Sequence, residues 1–361
     1  MSDYFEIDFL DVESSKSGDA ISIRYKVAGD TRIHVVDGGF QDTGDSVISH
    51  INTYYENPKK IDSVVVTHPD GDHAGGLRKV LEEFNVDELW MLRPWQYAHE
   101  LIDRFSRYKS VENLEERLRE VYPNIDALEK IAINKGIPIY EPFQGALIGE
   151  FTVMAPTKNR YLDLVVESEK TPEASKEESA LDTLDSMFEA ASQKVISLWR
   201  SFWGEENFSE EETSSENEMS VIQFANICGK RILLTGDAGR SALIEAADYA
   251  PVVGLELPGI DRFQVPHHGS RRNVSTEILD SWLGPRLDAR PVKGEETFTA
   301  IISAAKKDEH HPRKAVVRGL MHRGAKAVTT EGTNVRTSYN APEREGWSAA
   351  KPLEYPEEQE E

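Results

Sequence analysis

The sequence predicts an α+β fold in which two sheets are covered by helices, and three observations carry that expectation. Three β-type runs open the chain in succession, and only afterwards do strand and helix patterns alternate. A doubly wound sheet would alternate from the start. Three later apolar strands each end in histidine or aspartate, so polar ligands gather at strand ends.

The opening runs are Phe5–Val12, Ala20–Val27 and Arg32–Val36, rich in β-branched and aromatic residues. Asp45–Tyr55 then reads as a helix, Ser63–Val66 as a strand, Gly76–Phe84 as a helix and Leu89–Leu92 as a strand. From Pro94 to Lys135 the pattern is amphipathic helix with few strand signals. Strands follow at Phe151–Met154, Ser220–Ala225, Arg231–Leu234 and Gln264–Val265. Helices are expected at Arg240–Tyr249, Thr276–Leu283 and Pro312–Arg323. No solenoid-type repeat is present.

The 361 residues allow one large domain or two, and 39% hydrophobic residues exclude a wholly disordered chain. One cysteine, Cys228, forms no internal disulfide. No apolar run approaches the ~20 residues that span a membrane. The N-terminus is acidic where a secretory signal would be basic. A cytoplasmic protein without membrane insertion is therefore expected.

The net charge of −23 argues at first against an anionic substrate, but it is unevenly placed. Residues 163–218 hold −12 and the five glutamates of 354–361 another −5, whereas 262–351 is locally +6. Gly204–Glu218 reads as a mobile acidic loop. Before it, Leu181, Leu184, Phe188, Ala191, Val195, Leu198 and Phe202 recur every three or four residues, marking an apolar helical stripe. That helix, 177–203, either packs on the parent domain or offers a surface to a protein partner. The expected organisation is one domain over 1–345, with a helical region 95–135, an acidic helical insertion 157–218 and an acidic tail 346–361.

The most informative segment is Ser63–Gly76, where a buried-type strand runs into a loop carrying His68, Asp70, Asp72 and His73. Imidazole and carboxylate at this density suit a divalent metal with nitrogen and oxygen ligands. His68 and Asp70, two apart in an extended loop, aim at one point; Asp72 and His73 point to a second. Asp237 ends the strand after Arg231, and His267 and His268 end the strand near Gln264.

THPDGDHAGGL resembles the H-x-[HD]-x-D-H motif of metallo-β-lactamase-fold hydrolases. Asp70 at the second position, LLTGDA (Leu233–Ala238) and PHHGS (Pro266–Ser270) resemble the narrower ComEC-type competence-protein metallohydrolase domains. Phe9–Val12 followed by Gly18–Ile21 is similar to that group's opening, and His311-Pro312 to its late motif. The resemblance implies a four-layer αββα sandwich, the metallo-β-lactamase fold, here with helical insertions. It implies two divalent ions, Zn²⁺ or Mn²⁺. His68 and Asp70 would hold one; Asp72, His73 and one of His267 or His268 the other, with Asp237 bridging. His267 is the expected ligand and His268 the expected catalytic group. A histidine that usually completes the first site is missing, and Asn217 or Ser220 stands in its neighbourhood. One-metal occupancy is left open.

Two such ions about 3.5–4 Å apart lower the pKa of a shared water toward 7. Asp72 is then the natural acceptor for the attacking group, with His268 and His311 as proton donors to the leaving group. Asn217, Ser220, Ser270, Arg271 and Arg272 are expected to contact substrate, since a guanidinium fork suits phosphate oxygens. The expected activity is a phosphodiesterase or nuclease. The alternatives are a lactonase or thioesterase on the same fold, and a regulatory or effector subunit whose activity is lost or gated by a partner.

Overall fold

The computed structural model describes residues 2–12, 14–171 and 198–360. In chain order β1 (Tyr4–Phe9), β2 (Ala20–Val27), β3 (Asp30–Gly38), β4 (Lys60–Val65), β5 (Asn85–Trp90) and β6 (Ile139–Tyr140) build the first sheet. β7 (Leu147–Ile148) and β8 (Phe151–Ala155) begin the second, and β9 (Leu198–Arg200) lies apart from both. β10 (Ile222–Ile227), β11 (Lys230–Leu234), β12 (Arg262–Gln264), β13 (Phe298–Ile302) and β14 (Ala325–Thr329) complete the second sheet. β15 (Val335–Tyr339) returns to the first sheet beside β1, and β16 (Glu358–Glu360) pairs with β9. The two large sheets run β15-β1-β2-β3-β4-β5-β6 and β14-β13-β12-β11-β10-β8-β7.

Period-two alternation explains how the layers stack, because successive strand residues face opposite ways. In β11, Ile232 and Leu234 join the core that also holds Ile7, Ile23, Val35 and Val64 of the first sheet. Leu233, between them, faces a second core with Leu243, Leu279 and Leu320 from helices Arg240–Tyr249, Thr276–Leu283 and Lys314–His322. On the first sheet, Val47 and Ile51 of Thr43–Tyr54 and Val80 and Leu81 of Leu77–Glu83 bury their apolar faces. This is the metallo-β-lactamase fold, an α+β sandwich.

One polar joint crosses the apolar interior. His34 of β3 lies 3.1 Å through Nε2 from Gln223 Oε1 of β10, and burial pushes its pKa down to about 3. The imidazole is thus neutral, the form a buried site accepts without a counter-charge.

Expected helix ends agree closely at Arg240–Tyr249 and Thr276–Leu283, while β13, β14 and β15 were not foreseen. The Pro94–Lys135 region contains the helices Val111–Val121 and Pro123–Lys135, which bury Leu114, Leu118, Leu128 and Ala132 in the first core. The striped helix expected at 177–203 lies outside the described residues up to 197. Its described end is β9, a strand, because Leu198–Arg200 finds a backbone partner in β16.

The acidic segments also differ from expectation. Gly204–Glu218 is packed: Glu206, its side chain 1% exposed, accepts from Arg323 Nη1 at 2.6 Å and lies 2.9 Å from His322 Nδ1. Glu218 accepts from Ala242 N at 2.8 Å, and Glu360 from Lys314 N at 2.8 Å and Ala315 N at 3.0 Å. Both carboxylates therefore cap helix N-termini, where free N–H groups and the helix dipole favour negative charge. Glu206, Glu218 and Glu360, read as part of an acidic appendage and tail, are therefore structural.

Candidate metal centre

Strand ends bring the ligand-type side chains together. β4 delivers Thr67 and His68, the short helix Gly71–Ala74 carries Asp72 and His73, β11 leads to Asp237, and β12 leads to His267 and His268. Gly236, at φ +51°, lets β11 end against the loop. A Cβ there would meet the Thr67 side chain at 2.9 Å. His267 and His268 take left-handed backbone conformations, φ +46° and +55°, rare enough off glycine to indicate that packing imposes them.

The result centres on Asp237, which is 2% exposed. His73 Nε2 lies 3.3 Å from its Oδ1; His68, His267 and His268 each bring Nε2 to within 3.7–3.8 Å of its Oδ2. Asp72 Oδ2 is 3.8 Å from His268 Nε2 and 3.9 Å from His73 Nε2. Asp72, His73, Asp237 and His268 each offer an atom within 4.8 Å of all the others. His268 thus stands in the group where His267 was expected. His267 instead places Nδ1 3.1 Å from Asn217 Nδ2 and 3.0 Å from Asn273 Oδ1.

The donor set fits a cation. Nε2 of His68, His73 and His268 and Oδ1 of Asp237 are buried and make no hydrogen bond. Buried polar atoms are normally paired, so four orphans pointing into one small volume call for a shared positive charge. Without one, charge is balanced by protons. Burial opposes ionisation of His268, yet Asp237 and Asp72 beside it raise its pKa to about 9. Burial likewise works against Asp237, but His73, His268 and His267 hold it well below the carboxylate range.

Residues behind the ligands fix their direction. Asp37 Oδ2 lies 2.7 Å from His73 Nδ1, and Asp37 Oδ1 accepts from Thr67 N at 2.8 Å. This turns His73 Nε2 toward Asp237 and fixes its tautomer, as partners around metal sites commonly do. Asn273 Nδ2 donates to the Asp237 carbonyl at 2.9 Å. Asp19, buried with one oxygen unpaired, accepts from Gln264 at 2.9 Å. Sequence reasoning assigned none of these. The signal for Asp37 was a carboxylate at a strand end, the same one that marked Asp237.

The rim is mixed. The His311 ring lies 5.6 Å from that of His267, and its Nδ1 is 3.2 Å from Asp308 Oδ2. Burial pushes His311 down to about 4 against the pull of Asp308, so the ring is neutral at pH 7. Ser270 Oγ accepts from Arg272 N at 3.3 Å, and Arg272 is ion-paired with Glu211. The Arg271 carbonyl accepts from Ser209 N at 3.1 Å. The Ser220 hydroxyl is buried with no partner. Asp70 points elsewhere, to Lys170.

Two facing sheets with histidine and aspartate gathered at their strand ends make a candidate metal centre within the metallo-β-lactamase fold. Residues 25–137 match the model of the metallo-beta-lactamase superfamily. Among solved structures, the chain is similar to Zn²⁺-bound PqqB from Methylobacterium extorquens, with 11% identity, 87% of this chain and 86% of that chain covered, and a TM-score of 0.39. It is also similar to a diphosphatase from the PhnP family, with 10% identity, 93% and 98% coverage and a TM-score of 0.35. The hydrolase AbOPH of the beta lactamase superfamily shows 12% identity, 67% and 74% coverage and a TM-score of 0.34. No curated protein matches the sequence. Among the described residues no helix is long and apolar enough to cross a membrane.

Proposed function

We propose that this chain is a metal-dependent hydrolase of phosphodiesters, with a nucleic acid or a cyclic nucleotide as the substrate class. The observation that carries the reading is the set of unpaired buried atoms converging on Asp237. Asp72, His73, Asp237 and His268 would hold a divalent ion, with His68 at its edge. A divalent ion bound there supplies Lewis acidity and lowers the pKa of water toward neutrality.

The chain's own residues do the rest. Asp37 keeps the His73 ring aimed, and Asp72, part-exposed and held ionised by His73 and His268 against burial, orients the attacking group. His311, neutral with Nδ1 toward Asp308, offers Nε2 as an acceptor to substrate rather than a proton to the leaving group. Positive charge for the leaving oxygen then falls to Arg271 and Arg272. The locally basic 262–351 stretch and the ComEC-type motifs favour a phosphodiester over a neutral lactone or thioester. We read residues 1–345 as one domain whose chain end docks on it.

Incubation with Mn²⁺ or Zn²⁺ and a panel of single-stranded DNA, RNA, cyclic nucleotides, a lactone and a thioester tests this. Chelator-sensitive phosphodiester turnover is expected; turnover of the acyl substrates alone would overturn it.

A partner-gated enzyme is the second reading, favoured by one specific contact. The acidic segment before Asn217 lies over the ligand loop: Glu211 pairs with Arg272, and its carbonyl accepts from Arg240 Nη2 at 3.0 Å. Glu211→Gln should then raise kcat/KM, and unchanged kinetics would remove the reading. Deleting the whole segment is unsuitable because Glu206 and Glu218 hold the fold.

A further inference from the structure

We infer that the Lys170 ammonium takes the place of one of the two divalent cations, so that the chain binds a single metal ion, at Asp72, His73, Asp237 and His268. This rests on the hydrolase reading above. The sequence spacing pairs His68 with Asp70 at one ion, yet in the structure no group of three ligand-type residues holds both. Asp70 Oδ1 accepts from Lys170 Nζ at 2.6 Å, and Asp70 belongs to neither group of His and Asp atoms lying within 4.8 Å of one another. An ammonium on that carboxylate excludes a dication from it, both by occupying the oxygen and by repulsion of like charge.

Lysine 170 is placed there by local structure. Its backbone N–H donates to Ser168 Oγ at 3.1 Å, and the Ser168 hydroxyl in turn donates to buried Glu216. Tyr122 donates to the same Ser168 oxygen at 3.2 Å, while Thr171 Oγ1 closes the turn on the Val165 carbonyl at 2.6 Å. From the other side, Asn124 Nδ2 donates to the Pro69 carbonyl at 3.3 Å and steadies the loop that carries Asp70.

The remaining donors for a second ion are too few. Asn217, which stands near the missing first-site ligand, gives its Nδ2 to Thr213 Oγ1 at 2.8 Å and faces His267. His267 reaches Asp237 but does not come close enough to His68 to share an ion with it. His68 and the shared Asp237 are then left, short of the three protein ligands a catalytic zinc site keeps. The second group, Asp37, His68 and His73, is closed by hydrogen bonds through Thr67 and Asp37.

Mn²⁺ binding to the chelator-stripped full chain, counted by mass spectrometry of the metal and by calorimetry, tests the inference in wild type, Lys170→Met and Asp70→Asn. Wild type should bind one tight equivalent, and Asp70→Asn should keep that count. Lys170→Met should bind two, the second tightened by ~10–100-fold, the scale of changing a partner around a metal ligand. Two tight equivalents in wild type, with Asp70→Asn losing one, would overturn the inference while leaving the hydrolase reading intact. A Lys170→Met protein that is folded and still binds one would also overturn it. A wild-type chain that binds none defeats the hydrolase reading itself, and this inference falls with it.

Discussion

Two buried polar clusters in this molecule are both built around carboxylates and end differently. On the outer side of β1, Glu6 accepts from Arg24, Arg336 and Arg344, and Asp8 accepts from Arg344 and Tyr55. Every carboxylate oxygen there has a donor. At the strand ends, Asp237 Oδ1 and Asp19 Oδ1 have none, and three imidazole nitrogens beside them are equally unpaired. The first cluster contains its cations in the sequence, so it holds structure. The second lacks a cation of its own, so it has capacity to bind one. Lys170 is the exception that sharpens the contrast, a cation from the chain placed at the edge of the second cluster.

The largest effect should come from breaking the second cluster at its hub. Asp237→Asn should lower phosphodiester turnover by more than the ~10–100-fold typical of partners around metal ligands, while the protein stays folded by circular dichroism. Arg344→Ala should do the reverse. It leaves Glu6 and Asp8 buried without their shared partner, at a cost of ~3–5 kcal/mol in a denaturant melt, with metal content unchanged. A variant of either kind that loses both stability and metal together would blur the division.

The pH dependence of stability offers smaller tests. His34 faces Gln223 and the Phe151 ring, and its folded pKa of about 3 lies below the ~6.5 of an unfolded histidine. Its neutral form costs nothing above pH ~6.5, and stability falls as the unfolded state gains a proton between ~6.5 and 3. His34→Gln should flatten that limb. Glu206 is opposed by burial but held down to about 2 by His322 and Arg323, below the ~4.3 of an unfolded glutamate. Its contribution is full above pH ~4.3 and is lost as pH falls through 2, so Glu206→Gln should flatten only this lower window. The smallest change is expected of the exposed Glu211–Arg272 pair, within ~1 kcal/mol of stability on Glu211→Gln.

The same contrast explains what the sequence could disclose. His68, Asp72, His73, Asp237 and the His267–His268 pair were legible as ligand-type residues because short-range pattern carries them: an apolar strand, then ligands, then a helix. Asp37, Asn273 and Lys170 were not, because their roles arise from contacts across 36, 36 and 100 residues of sequence. His267 and His268 could not be told apart on spacing, since the choice depends on two consecutive left-handed residues and on Asn217 and Asn273. The acidic segments misled for a related reason. Charge counts record how many carboxylates there are, whereas Glu218 and Glu360 act by meeting helix N-termini far away in the chain.

The most direct test adds Mn²⁺ stepwise to chelator-stripped protein while reading the melting temperature and the hydrolysis of bis(4-nitrophenyl) phosphate together. Saturation at ~100 Kd should stabilise wild type by ~2.7 kcal/mol. Phosphodiester turnover should appear over the same range, and Asp237→Asn should show neither response. A wild-type protein whose melting temperature and turnover ignore the metal, or an Asp237→Asn variant that responds as wild type does, would contradict the account.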